Sequence, residues 1–170
     1  MKKFFIIAAS LLVTMSAAAE VMNANDPRVT YVGRTLVEGT DVSFDWTATY
    51  FRIAFSGKSL TMKASETKWE SDAEKAATRH NYYNVWIDSP TSAEPHRIIE
   101  VNGKDTVIEL IDPEYLKKNR RAVHEVIVQK RTEGEQGKTT IHSFATDSKG
   151  QFLQAEPLKT RQLEFIGDSY

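Results

Sequence analysis

An all-β antiparallel sandwich is the fold class that the sequence predicts, on three observations. Short segments alternate apolar and polar residues with a period of two, turn residues recur between them, and one stretch alone carries a helix-start signature. The strand signals begin at Val29. Phe51, Ile53 and Phe55 alternate with Arg52 and Ala54, and Leu60, Met62 and Ala64 alternate with Thr61 and Lys63. The Ser56-Gly57-Lys58 link between these runs predicts a hairpin. Further strand-like runs follow at 82–87, 97–101, 106–111, 123–129, 139–144 and 163–166. Asp88-Ser89-Pro90, Asn102-Gly103, 134–137 and 147–150 supply the turns between them.

The helix start lies at 112–119. Asp112 can cap free amides, Pro113 suits the first helical position, and Glu114 favours the positive helix end. That short helix reads as a crossover between sheets. The polar segment 66–80 reads as a loop, or as a short helix through 72–78. The stretch 154–161, which contains Pro157, reads as a connection leaving the sandwich. Many short strands with frequent turns favour a jelly roll.

The two ends of the chain carry different signals. Lys2 and Lys3, the apolar stretch Phe4 to Val13 and the small residues Ala17, Ala18 and Ala19 form an export signal peptide, with cleavage expected after Ala19. The alternative is a membrane anchor, but a ten-residue apolar stretch falls short of the ~20 residues needed to cross a bilayer. A periplasmic or secreted location follows, with no membrane span in the mature protein. The chain has no cysteine, so it offers neither a lipid-attachment thiol nor a disulfide framework. Loss of the two leader lysines moves the formal charge from −1 to −3, which points to neither nucleic acid nor an anionic membrane surface as a partner.

At the other end, the 163–166 run leads directly into Gly167, Asp168 and Ser169. A strand followed by such a turn can present a serine hydroxyl at the carboxyl edge of a parallel sheet, where open α/β sheets place their ligands. Gly167 permits the tight turn and Asp168 can hold its shape, although the same tripeptide is also ordinary turn chemistry. A lone final strand would leave backbone donors without cover. The sequence therefore divides into a signal peptide at 1–19, a β-sandwich at 20–161, and at 162–170 the first, orphan strand and turn of a further α/β domain.

A serine hydroxyl needs a base to act as a nucleophile. His80, His96, His124 and His142 all precede Ser169, and none has triad or metal-site spacing. They read as surface or strand-face histidines. His124 and His142 fall on runs that neighbouring strands would bring together, but two imidazoles without a third ligand make a poor zinc site. No metal and no cofactor is expected. Trp46, Trp69 and Trp86 default to core packing, yet flat indole faces can stack on sugar rings. Trp69, set among Lys68, Glu70 and Ser71, is the candidate exposed ring. Trp86, on the opposite strand face from Val85 and Ile87, lines either the core or a surface.

Five segments together resemble carbohydrate esterase family 2: Phe44-Asp45-Trp46, the strand from Phe51 to Gly57, Tyr83 to Asp88, His124 to Glu133, and Leu163 to Tyr170. The resemblance implies an N-terminal jelly roll joined to a C-terminal hydrolase of the GDSL/SGNH type, which removes acetyl groups from xylan and glucomannan. It makes Ser169 the catalytic nucleophile, with its backbone N–H as one oxyanion donor and Gly167 and Asp168 as motif support. The family's catalytic histidine and its glycine and asparagine oxyanion donors belong to the hydrolase domain, beyond Tyr170. The expectation is thus the N-terminal part of an exported esterase, inactive as this chain, whose partners are an acetylated plant polysaccharide and the absent hydrolase domain. The alternative is a non-catalytic carbohydrate-binding sandwich, with Trp69 and Trp86 as the sugar-binding candidates.

Overall fold

The computed structural model describes residues 18–69, 77–89, 91 and 93–158. In chain order its strands are β1 (Val21–Asn23), β2 (Thr30–Val32), β3 (Leu36–Glu38), β4 (Asp41–Phe44), β5 (Tyr50–Ser56), β6 (Leu60–Thr67), β7 (Asn81–Ile87), β8 (Arg97–Val101), β9 (Thr106–Glu109), β10 (His124–Lys130), β11 (Lys138–Thr146) and β12 (Gln151–Leu153). The helix α1 (Pro113–Lys118) separates β9 from β10. The signal peptide, the 163–166 strand and the Gly167-Asp168-Ser169 turn lie outside the described residues, as does most of 72–78.

The strands form two six-stranded antiparallel sheets. One has the order β3-β4-β11-β6-β9, with β1 also on β11; the other has the order β12-β5-β10-β7-β8, with β2 also on β5. The predicted all-β sandwich is therefore the observed fold. Alternation explains its single core: Leu60, Met62 and Ala64 of β6 and Val126 and Val128 of β10 point inward, while Thr61, Lys63, Glu125 and Ile127 point outward. Phe51 meets Phe144 across the two sheets with ring centroids 5.2 Å apart, and Phe44 meets Tyr83 edge-on at 6.1 Å.

Two local details shape the ends of the sheets. A register shift between Ile141 and Ser143 leaves His142 as the extra residue of a bulge. Ile141 and Phe144 consequently both face the core, and β4 and β1 share one edge of β11 in succession. At α1 the expected capping is present: the Asp112 carboxylate accepts from Glu114 N at 2.8 Å, with Pro113 at the helix start.

The hairpin expected across Ser56-Gly57-Lys58 does not form. β5 and β6 belong to opposite sheets, and the link crosses between them. Gly57 has φ +138°, and a Cβ there would lie 3.0 Å from Gly150 Cα. The Asp147 side chain accepts from Lys58 N and so ties the crossing to the β11–β12 turn. Alternation specifies which face of a strand is apolar but not whether its partner lies beside it or across the core. For the same reason His124 and His142, on β10 and β11, are in opposite sheets and not on neighbouring strands.

Candidate functional site

The aromatic candidates separate by environment. Trp69 is 53% exposed and Trp46 56% exposed. The Arg34 guanidinium lies over the Trp46 ring, 4.7 Å from its centroid, and occupies one indole face. Trp86 is 4% exposed, and its indole N–H donates to Ala93 O at 2.8 Å. Its outward strand face is thus covered by the loop before β8, leaving Trp69 as the accessible ring of the two sugar-binding candidates. Ser169, Gly167 and Asp168 fall outside the described residues.

Each histidine is engaged. His124 Nδ1 lies 2.7 Å from Asp88 Oδ2, and both side chains are almost wholly buried. Asp88 Oδ1 also accepts from Glu125 N at 2.9 Å, so one carboxylate holds the start of β10 to the end of β7. His142 is bonded through Nδ1 to Asp41 and through Nε2 to Ser65. His80 lies beside Lys68 and within 3.9 Å of Glu66, while His96 packs edge-on against Tyr115. The strand-face reading holds for His124 and His142, but the sequence did not reveal the carboxylates that receive them.

Sequence reasoning also missed a basic cavity beside His124. It encloses about 580 Å³ where α1 and its following loop meet the β5–β6 and β11–β12 connections. Lys58, Lys117, Arg120, Arg121 and Lys149 supply its cations. The signal that could have found it is the Lys117-Lys118-Asn119-Arg120-Arg121 run, whose charge disappears in the near-neutral total.

A second polar group is sealed inside the opposite end of β10. Lys130 is 1% exposed, and its ammonium donates to Thr132 O and Glu133 O, both at 2.9 Å. Burial lowers its pKa to about 8, against the opposing pull of Asp45 and Glu66. Glu66 Oε1 accepts from the backbone and side-chain amides of Asn81, at 3.0 and 2.9 Å. No group of three or more metal-ligating side chains occurs among the described residues.

Comparison with known proteins identifies similarity over most of this architecture. The family model "Carbohydrate esterase 2 N-terminal" matches residues 31–156. An acetylxylan esterase / glucomannan deacetylase of Cellvibrio japonicus (strain Ueda107) is 30% identical over 144 residues, covering 81% of this chain and 33% of that protein. Among solved structures, a family two carbohydrate esterase from Cellvibrio japonicus matches with TM-score 0.66 and 19% identity, covering 85% of this chain and 37% of its own. A family two carbohydrate esterase from Clostridium thermocellum in complex with cellohexaose matches with TM-score 0.61 and 18% identity, covering 78% of this chain and 35% of its own. At these identities the structural matches establish a shared fold. The chain spans about a third of the length of each of these relatives.

Proposed function

The chain belongs to the carbohydrate esterase 2 N-terminal family, and from that premise we propose that it is the β-sandwich part of an exported carbohydrate esterase that deacetylates plant polysaccharides such as xylan and glucomannan. The observation that carries this reading is the match over 31–156 together with a relative named for acetylxylan and glucomannan deacetylation. Export is supported by the leader pattern: cleavage after Ala19 would leave Glu20 as the first mature residue, and Glu20 already binds Arg28 and the Phe152 amide.

In this reading Ser169 attacks the acetyl carbonyl, a histidine of the adjoining hydrolase region takes its proton, and the Ser169 N–H helps to hold the oxyanion. Collapse of the adduct expels the sugar hydroxyl, which takes the proton back from the histidine, and water then hydrolyses the acetyl-serine to release acetate and restore the serine. Acetate release from acetylated xylan tests the proposal. This chain is expected to release none, and a version extended through a hydrolase region is expected to release acetate and to lose about 10³-fold or more in rate with Ser169→Ala. Ser169-dependent release by the present chain alone, or unchanged release by the extended S169A variant, would overturn it.

The exposure of Trp69 favours a second reading, a non-catalytic carbohydrate-binding sandwich. Quenching of tryptophan fluorescence by xylan, mannan or cellulose that disappears in Trp69→Ala would support it. Silence with all three glycans would count against it.

A further inference from the structure

The basic cavity beside His124 is not used by the esterase chemistry, and its charge is locally opposite to that of the whole chain. Lys58, Arg120 and Lys149 have no ion-pair partner among the described residues, whereas Lys117 pairs with Glu114 and Arg121 lies 3.7 Å from Asp88. Asp147 is the carboxylate on the lining, and its two oxygens accept from the backbone amides of Lys58 and Lys149. Cationic side chains converging on a concavity raise the local concentration of anions.

The rest of the lining adds chemistry that a simple ion would not need. Pro113 and Leu116 supply an apolar surface, and Leu116 is 6% exposed. His124 is fixed through Nδ1 on Asp88, leaving Nε2 without a hydrogen-bond partner among the described residues. Guanidinium groups match the geometry of carboxylates, an apolar surface suits the C–H face of a sugar ring, and an unpartnered ring nitrogen suits a hydroxyl. The volume of about 580 Å³ lies within the roughly 300–1,000 Å³ of small-molecule pockets.

We propose that this cavity binds a carboxylate-bearing sugar, a uronate side group of the acetylated polysaccharide. The source of that uronate rests on the polysaccharide reading above; the chemistry of the cavity does not. The test is an NMR titration of the full chain with a glucuronate-substituted xylo-oligosaccharide, the unsubstituted oligosaccharide of equal length, free glucuronate and inorganic phosphate. Amide shifts confined to Lys58, His124, Lys149 and the 116–121 segment are expected with both uronates. The unsubstituted oligosaccharide is expected to bind there at least tenfold more weakly.

Arg120→Glu should weaken uronate binding at least tenfold, and Lys149→Gln should weaken it severalfold; both side chains are exposed, so the rest of the spectrum should stay unchanged. Equal affinity for the unsubstituted oligosaccharide, an equal response to inorganic phosphate, or no shift at these residues with either uronate overturns the proposal. Free glucuronate distinguishes the two readings. Its binding here without deacetylation by the extended enzyme leaves the cavity assignment standing, and deacetylation without its binding removes the cavity assignment alone.

Discussion

Asp88 joins two strands through a backbone conformation that few residues adopt. Its φ is +52°, a left-handed region in which Asp and Asn are enriched, and its N–H donates to Glu125 O at 2.9 Å. Asp88→Ala would leave His124 Nδ1 and the Glu125 amide without acceptors in a buried site. A loss of about 3 kcal/mol is expected in urea unfolding, because a stranded buried polar group retains its full desolvation cost. Lys130 makes the complementary prediction in pH. Its folded pKa of about 8 lies below the usual lysine value, so between about pH 8 and 10 the unfolded chain binds more protons, and stability rises with pH. Burial raises the Tyr31 and Tyr83 hydroxyls, so above their usual pKa of about 10 the folded chain binds more protons and stability falls. Urea midpoints measured from pH 7 to 11 should therefore pass through a maximum. Lys130→Met, which removes the titrating group, should flatten the rising limb.

Elements differ in how much of their structure is locally encoded. α1 was legible because its cap, its Pro113 and its first-turn Glu114 are adjacent in sequence. The strands β7 to β11 were legible within a few residues from alternation, whereas β1, β3 and β12 span only three residues each and carry too few periods to show one. The sheet membership of β5 and β6 was not legible, since both present one apolar face to the same core. Where elements approach closely, glycine decides. Gly137 has φ +122°, and a Cβ there would lie 2.5 Å from Thr67 O, so Gly137→Ala should cost about 2–4 kcal/mol by chemical denaturation. Gly39→Ala is the control: φ is +63° with nothing within 4 Å, so only the backbone term applies, about 1 kcal/mol.

At the scale of the whole fold, the described residues share one core between two sheets, and neither sheet keeps an apolar interior without the other. Residues 20–158 should consequently unfold in a single transition, with far-ultraviolet dichroism and tryptophan fluorescence giving coincident urea midpoints. Two separated transitions would show that the sheets are independently stable. At this scale the total charge conceals the basic cavity, because Lys58 and Lys149 reach the 117–121 run only through the fold. By itself the sequence determined the all-β class, the inward face of the main strands, the local cap of α1 and the family resemblance, all of which depend on neighbouring residues or on a period of two. Tertiary structure alone decided which sheet each strand joins, that Asp88 receives His124, that Trp86 is covered while Trp69 is not, and that distant cations line one cavity. Those outcomes depend on contacts between residues far apart in the chain, and a strand's alternation specifies its face without naming its partner.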